Sequence, residues 1–151
     1  METKKIYIHA NITEMSKKIE KILRSKLVKS GLRVFEDLTG DTELIICVGG
    51  DGTLLHLMQE KDFPDTPVVG INTGHLGFFQ EILPEKIDDF IFKYNQGQYS
   101  VQAFSTVKAT VVTGHGIFTH TALNEIAVKG EMTYPVHLNI SINESFIERF
   151  S

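Results

Sequence analysis

Residues 44–57 read LIICVGGDGTLLHL and decide the fold of this chain. The first five, residues 44–48, are apolar and rich in β-branched types, and they predict a buried strand. Residues 49–53 predict a tight turn, after which apolar residues recur at helical spacing. The stretch therefore predicts a strand, a glycine turn and the start of a helix. The glycines let the backbone approach a bound group and leave the amides of the helix open to an anion.

A single carboxylate, Asp51, lies among these glycines. A carboxylate is not attracted to phosphate. Asp51 is therefore better suited to act as a base, to accept a hydrogen bond from a hydroxyl group or to assist a metal ion indirectly. The alternative is structural, with Asp51 capping the helix that follows. The stretch matches neither the Walker A pattern nor the GxGxxG dinucleotide fingerprint, so neither mechanism is transferred to it.

Strands and helices alternate over the first hundred residues. Strands are predicted at 4–9, 32–35, 44–48 and 67–71, and helices follow the first, the third and the fourth. Asn11 stands three residues before Glu14, which is the spacing of a capping box, and Gly31 is placed to end the first helix. This order predicts a Rossmann-like, doubly wound parallel sheet over residues 1–100, with ligands at the carboxyl ends of its strands.

The strand predicted at 67–71 runs into a second glycine-bearing loop, residues 72–79. Two such loops at one edge of a parallel sheet predict a pocket. His75 either faces this pocket or fills the turn, and Phe79 is better explained as a core residue.

From residue 99 the apolar pattern changes to a period close to two, which predicts short antiparallel strands. They are predicted at 99–103, 106–113, 117–122, 126–128, 136–142 and 146–150, with hairpin turns at 114–116 and 143–145. Residues 101–151 are therefore expected to begin an antiparallel, β-rich domain. Because this part ends on a strand, we expect its edge to be covered by a partner chain or by the rest of a longer protein.

The composition narrows the class of protein. A chain of 151 residues with 42% hydrophobic residues can form a real core. Its net charge of -4 leaves no basic surplus for general nucleic-acid binding. We find no apolar run near the roughly 20 residues that span a bilayer and no signal-peptide pattern, so a cytoplasmic enzyme or binding protein without a membrane partner is expected. The single cysteine, Cys47, is interpreted as a small core residue.

Three motifs resemble those of the NAD kinase family, whose members phosphorylate NAD to NADP. They are GGDGT at 49–53, GINTGHLGF at 70–78 and TALNEIAV at 121–128. The motifs occur in the expected order over essentially the whole chain. The first is similar in lipid kinases of the diacylglycerol and sphingosine type and in phosphofructokinases, whereas the second followed by the third is more specific.

The resemblance implies an α/β domain followed by a β-rich one, with NAD in the cleft between them, in a homo-dimer or homo-tetramer. Asp51 matches the family's base, which acts on the 2′-hydroxyl of the adenosine ribose. The other NAD contacts implied by the family are Gly52, His56, Phe78, Asn124 and Glu125. The loop with Gly49, Gly50 and Thr53 is similar to the one proposed to approach the phosphates of the donor, ATP or sometimes polyphosphate, with a divalent metal such as Mg²⁺.

The chemistry of these residue types is compatible with the implied roles. Phosphorylating a hydroxyl needs a nearby carboxylate, charge neutralisation and close positioning of the donor. Asn124 and Glu125 offer hydrogen-bond donors and acceptors for a sugar or base edge, although an Asn-Glu step also occurs simply at strand ends. His115 and His120 flank a predicted hairpin without an apparent third metal ligand.

Two other functions stay open at this point. One is a lipid kinase of the GGDGT type. The other is a non-catalytic fragment that binds NAD or NADP, because NAD kinases normally continue past the segment that matches residues 142–151 into a second Gly-Asp motif.

Overall fold

The computed structural model describes residues 4–74, 77–130 and 135–150. The described residues of its first compact unit, Met1–Phe104, form four strands and three α-helices. The strands are β1 (Lys5–Ala10), β2 (Arg33–Phe35), β3 (Leu44–Gly49) and β4 (Val68–Asn72). The helices are α1 (Glu14–Lys29), α2 (Asp51–Glu60) and α3 (Ile87–Asn95), and a short 3-10 helix, Pro84–Lys86, precedes α3. Within the described part of the chain, no helix is both long and apolar enough to cross a membrane.

The four strands form a parallel sheet in the order β2-β1-β3-β4. The chain moves outward from β1 to β2 in one direction and from β3 to β4 in the other, so the strand order reverses between β1 and β3. Doubly wound sheets bind ligands at such a switch point, outside the carboxyl ends of the strands. The prediction of a Rossmann-like parallel sheet is confirmed.

The two faces of the sheet are covered by different helices. Alternate residues of β1 and β3, including Ile6, Ile46 and Val48, join one buried cluster with apolar side chains of α1 and α3. The intervening residues of these strands point to the opposite face, where Leu54 and Leu57 of α2 are also buried. Helix α2, which follows the glycine turn, therefore packs on the face of the sheet opposite to the one that α1 and α3 cover.

The start of α1 differs from the prediction. Thr13 is the N-cap, and its Oγ1 accepts a hydrogen bond from the Ser16 N–H at 3.3 Å. Glu14 is the first helical residue, too close to the cap to complete a capping box, so the Asn11–Glu14 prediction is wrong. Gly31 adopts φ 83°, and its placement just after the end of α1 is confirmed.

In the second unit, Ser105–Ser151, the residues that the structure describes form two antiparallel hairpins. Their strands are β5 (Val107–Thr113), β6 (Gly116–Ala122), β7 (Leu138–Ile142) and β8 (Ser145–Phe150). This confirms an α/β part followed by an antiparallel part. The strands predicted at 99–103 and 126–128 are wrong, since neither segment pairs with another strand in the described ranges. Tyr99 instead stacks on Tyr94 of α3, with ring centroids 5.3 Å apart.

Candidate functional site

The site forms at the switch point of the sheet, where β3 ends at Gly49. Gly50 is the N-cap of α2, with extended backbone and no side-chain cap, and Asp51 is the first helical residue. The predicted sequence of strand, glycine turn and helix is confirmed. The positive end of the α2 macrodipole therefore lies at the carboxyl edge of the sheet.

The carboxylate of Asp51 connects this turn to the second glycine loop. Its Oδ2 accepts a hydrogen bond from the Phe78 N–H at 2.7 Å, and its Oδ1 accepts one from the Phe79 N–H at 3.0 Å. A Cβ on Gly77 would lie 2.3 Å from Oδ1, so a side chain there would displace the carboxylate. The Asp51 carboxylate therefore accepts its hydrogen bonds from backbone amides of the second loop and not from amides in the first turn of α2. The helix-cap alternative for Asp51 is therefore wrong, and the two loops meet as predicted.

Polar groups join the ends of three strands beneath the two loops. Asn11, just after β1, donates its backbone N–H to the Val48 carbonyl at 2.9 Å and its Nδ2–H to the Thr53 hydroxyl at 3.0 Å. Thr73, just after β4, donates its backbone N–H to the Gly49 carbonyl at 3.0 Å. Its hydroxyl lies 2.7 Å from that of the buried Ser16 on α1. The backbone at the switch point is thereby fixed from both sides.

Gly49 and Thr53 belong to this supporting layer. Thr53 is buried, and a Cβ on Gly49 would lie 2.2 Å from its hydroxyl oxygen. Their predicted contact with a phosphate donor stays a prediction, and the geometry shows that they pack against each other. A Cβ on Gly50 or Gly52, in contrast, would meet no described atom within 4 Å. These two glycines therefore border open space.

Gln80 fixes the far end of the second loop. It is buried, and its Nε2 donates to the Gly50 carbonyl at 3.2 Å. Its Oε1 lies over Gly70 of β4, where a Cβ would come within 2.2 Å, and has no hydrogen-bond partner among the described residues.

Sequence reasoning missed Gln80, Asn11 and Thr73. Asn11 and Thr73 directly follow parallel strands, so the rule that ligands gather at carboxyl ends of strands could have found them. Gln80 lies at the end of a loop and carries no comparable signal.

The other predicted NAD-binding residues are not all brought together. The side chain of Phe78 is exposed, and its backbone N–H binds Asp51. His56 lies about 140° around the axis of α2 from Asp51, at 100° per residue, and faces His9 and Glu60 instead. Asn124 and Glu125 are exposed just after β6, in the second unit. His75 lies outside the described residues.

The fold and the site define a parallel α/β protein with a carboxylate-bearing glycine loop at its switch point. A sequence model of the ATP-NAD kinase N-terminal domain matches residues 4–99. The chain therefore belongs to the ATP-NAD kinase family, as the motifs predicted.

Curated relatives support this assignment. An NAD kinase of Finegoldia magna is 34% identical over 99% of this chain and 55% of its own length. An NAD kinase of Limosilactobacillus reuteri subsp. reuteri is 33% identical over 97% of this chain and 54% of its own length. The chain thus spans about half the length of the curated relatives it matches.

Solved structures share the fold. Yeast NADH kinase complexed with NADH aligns with a TM-score of 0.77 and 15% identity, over 97% of this chain and 55% of that protein. An NAD kinase from Archaeoglobus fulgidus in complex with ATP aligns with a TM-score of 0.52 and 20% identity, over 76% of this chain and 45% of that protein. At these identities the likeness concerns the fold alone.

Proposed function

We propose that this chain carries out, or belongs to a protein that carries out, the phosphorylation of the 2′-hydroxyl of the adenosine ribose of NAD by ATP. The observation that carries the proposal is the Asp51 carboxylate, which lies between two glycine loops at the switch point of the sheet. Membership of the ATP-NAD kinase family supports this chemistry. The lipid-kinase alternative has no support from the relatives named above.

Asp51 is the proposed base. The Phe78 and Phe79 amides orient its carboxylate, and each carboxylate oxygen has a further lone pair that can accept a hydroxyl. A substrate hydroxyl bound there would give up its proton as the phosphoryl group arrives. The protein would otherwise contribute mainly positioning.

The donor phosphates would approach the amino-terminal end of α2. Gly50 and Gly52 leave the backbone open on this side, and the macrodipole favours an anion there. The donor set suits a Mg²⁺ ion that arrives with ATP, since such an ion usually needs one or two protein carboxylates besides phosphate oxygens and water. Asp51 would assist the binding of this ion indirectly, and the ion would neutralise charge on the donor phosphates.

The remaining contacts are carried over from the family motifs. Phe78, whose side chain is 93% exposed, is proposed to lie beside the dinucleotide. Asn124 and Glu125 are proposed to hydrogen-bond it. His56 is also carried over from the motif, and its side chain faces His9 and Glu60. We also propose a cytoplasmic homo-dimer or homo-tetramer, with polyphosphate as an alternative donor.

The test is an assay of NADP formed from NAD, ATP and Mg²⁺ by the purified chain and by its Asp51→Asn variant. Asn keeps the size of the side chain but is a far weaker base, so we expect the turnover rate to fall about 100-fold or more. Because an Asn side chain can accept from only one of the Phe78 and Phe79 amides, NAD binding, followed by titration, should weaken, but far less than turnover does. A control variant, Gly40→Ala in an exposed loop, should match the unmodified chain.

The outcomes separate the alternatives. Unchanged turnover in Asp51→Asn would overturn the base assignment. Parallel loss of turnover and NAD binding would mean that Asp51 only holds the loops together. NAD binding without turnover by the unmodified chain would favour the non-catalytic dinucleotide-binding function. That function is also compatible with a chain that spans about half the length of its curated relatives.

A further inference from the structure

Three potential metal ligands meet on the α2 side of the sheet. His9 is on β1, and His56 and Glu60 are one turn apart on α2. One nitrogen from each histidine and one carboxylate oxygen of Glu60 all lie within 4.8 Å of one another. The group, which we call the His-His-Glu cluster, is formed by two elements that are distant in sequence and adjacent in the fold.

The contact between His56 and Glu60 alone would be unremarkable. Residues four apart on a helix face each other, and a His-Glu pair of this kind is a common surface contact. His9 changes this interpretation because it is partly buried on a strand of the sheet and presents its ring to the same point. The ring centroids of His9 and His56 are 6.5 Å apart, and their ring planes make an angle of 23°.

The distances suit a small cation. Ligands of a tetrahedral metal at about 2.0–2.2 Å are separated from one another by roughly 3.3–3.6 Å. The His56 Nδ1 lies 3.6 Å from the Glu60 Oε2, which is already close to that separation. The other pairs of ligand atoms lie within 4.8 Å of one another, so a movement of His9 or His56 by at most about 1.2 Å, which side-chain rotation supplies, brings them to that separation.

The exposure of the cluster is also compatible with an ion, although the Lys61 ammonium beside Glu60 repels a second cation. Lys61 lies 2.8 Å from the Oε1 of Glu60, which leaves the Oε2 directed to His56. The side chain of His56 is 73% exposed, so an ion can enter from solvent and water can complete its coordination. Two imidazoles and one carboxylate favour zinc-like transition metals over Mg²⁺ or Ca²⁺, whose usual ligands are oxygens.

We propose that His9, His56 and Glu60 bind one divalent transition-metal ion of the Zn²⁺ type. Such an ion would fasten α2 to β1 and so stabilise the helix that begins at the glycine turn. This site shares His56 with the proposed NAD contacts but is separate from the phosphate donor and its Mg²⁺, and its metal binding is measured independently of the kinase activity.

The test is calorimetric titration of the intact chain with Zn²⁺, together with the visible absorption of its Co²⁺ complex. We expect one equivalent to bind with micromolar or tighter affinity and to raise the melting temperature. We expect weaker Zn²⁺ binding, by about tenfold or more, in each of the variants His9→Gln, His56→Gln and Glu60→Gln. Loss of a residue that only hydrogen-bonds to a metal ligand already lowers metal affinity about tenfold, and loss of a ligand itself should lower it at least as much. His137→Gln, an exposed histidine in the second unit, is the matched control and should bind as the unmodified chain does.

Two results would overturn the proposal. One is the absence of stoichiometric binding. The other is a His9→Gln variant that binds Zn²⁺ as tightly as the unmodified chain, since the contact would then be an ordinary helix-surface pair. If His9→Gln does not fold, the Glu60→Gln variant is the test, because the Glu60 side chain is exposed and its replacement should not affect folding. A Glu60→Gln variant that binds Zn²⁺ as tightly as the unmodified chain would equally overturn the proposal.

Discussion

Gly70 in β4 is a position where the fold leaves no room for a side chain. A Cβ there would lie 2.2 Å from the Gln80 Oε1 and 2.6 Å from the Phe79 carbonyl oxygen. The second contact is with backbone, so the loop itself would have to move. We expect Gly70→Ala to lower the free energy of unfolding by about 1–3 kcal/mol, measured by urea denaturation. Gly40→Ala, where a Cβ meets no described atom within 4 Å, should stay within about 0.5 kcal/mol. Equal stability of the two variants would contradict the packing of Gln80 on Gly70.

Cys47 should behave as an inert core thiol. It is fully buried, and burial raises the pKa of its thiol to about 11 although Gln80 donates a weak hydrogen bond to the sulfur. The unfolded chain would ionise near the ordinary value of 9.0. The thiol therefore favours folding below that pH, and this contribution is lost as the pH rises from 9.0 towards 11.

A thiol reagent such as DTNB checks this expectation, because the chain has one cysteine. At about pH 8 the folded chain should react only as fast as it unfolds, whereas the denatured chain should react at once. Rapid stoichiometric reaction of the folded chain would mean that the sulfur is accessible.

The residues of the site differ in how far their roles could be predicted. The glycines around Asp51 predicted a turn from strand to helix, and that turn is confirmed, although none of the three adopts a positive φ. The partners of Asp51 could not be predicted, since its bonds to Phe78 and Phe79 join two loops that meet only in the folded sheet. Gln80 was missed for the same reason.

At the scale of elements, α1 depends on a cap that the sequence pattern misplaced. The Thr13 hydroxyl accepts a hydrogen bond from the Ser16 N–H and donates to the Ser16 hydroxyl at 2.9 Å. We expect Thr13→Ala to cost about 1 kcal/mol of the free energy of unfolding. Ser25→Ala, on the exposed side of α1, is the control and should be neutral or slightly stabilising. If Thr13→Ala lowers the free energy of unfolding no more than Ser25→Ala does, the Thr13 cap does not contribute to stability.

The sheet was predicted more reliably than the strands after residue 98. Continuous apolar runs such as β3, all six of whose residues are buried, have few explanations other than a central strand. Alternation of apolar and polar residues is less specific. Residues 99–103 alternate, yet Tyr99 packs its ring on Tyr94 and the segment stays unpaired in the described structure. Pairing depends on a partner strand, and the local pattern does not reveal one.

At the scale of the whole molecule, burial is concentrated in the first unit. The core cluster lies on β1, β3 and their neighbours, whereas most residues of the hairpins β5–β6 and β7–β8 are exposed. A two-stranded hairpin is at best marginally stable in water without packing on one face. The amides of β3 should therefore exchange with solvent only on global unfolding, and those of the hairpins through local opening.

Hydrogen–deuterium exchange followed by mass spectrometry measures this difference. At low protein concentration, where self-association is least, we expect hairpin amides to exchange about 100-fold faster or more than those of β3. The peptide that covers α1 is an internal reference, because its buried residues belong to the same cluster as β3, and it should exchange slowly. Equal protection of β3 and both hairpins would contradict the expectation. It would show that the exposed apolar side chains, such as Val112 and Phe146, are covered in solution even at low concentration.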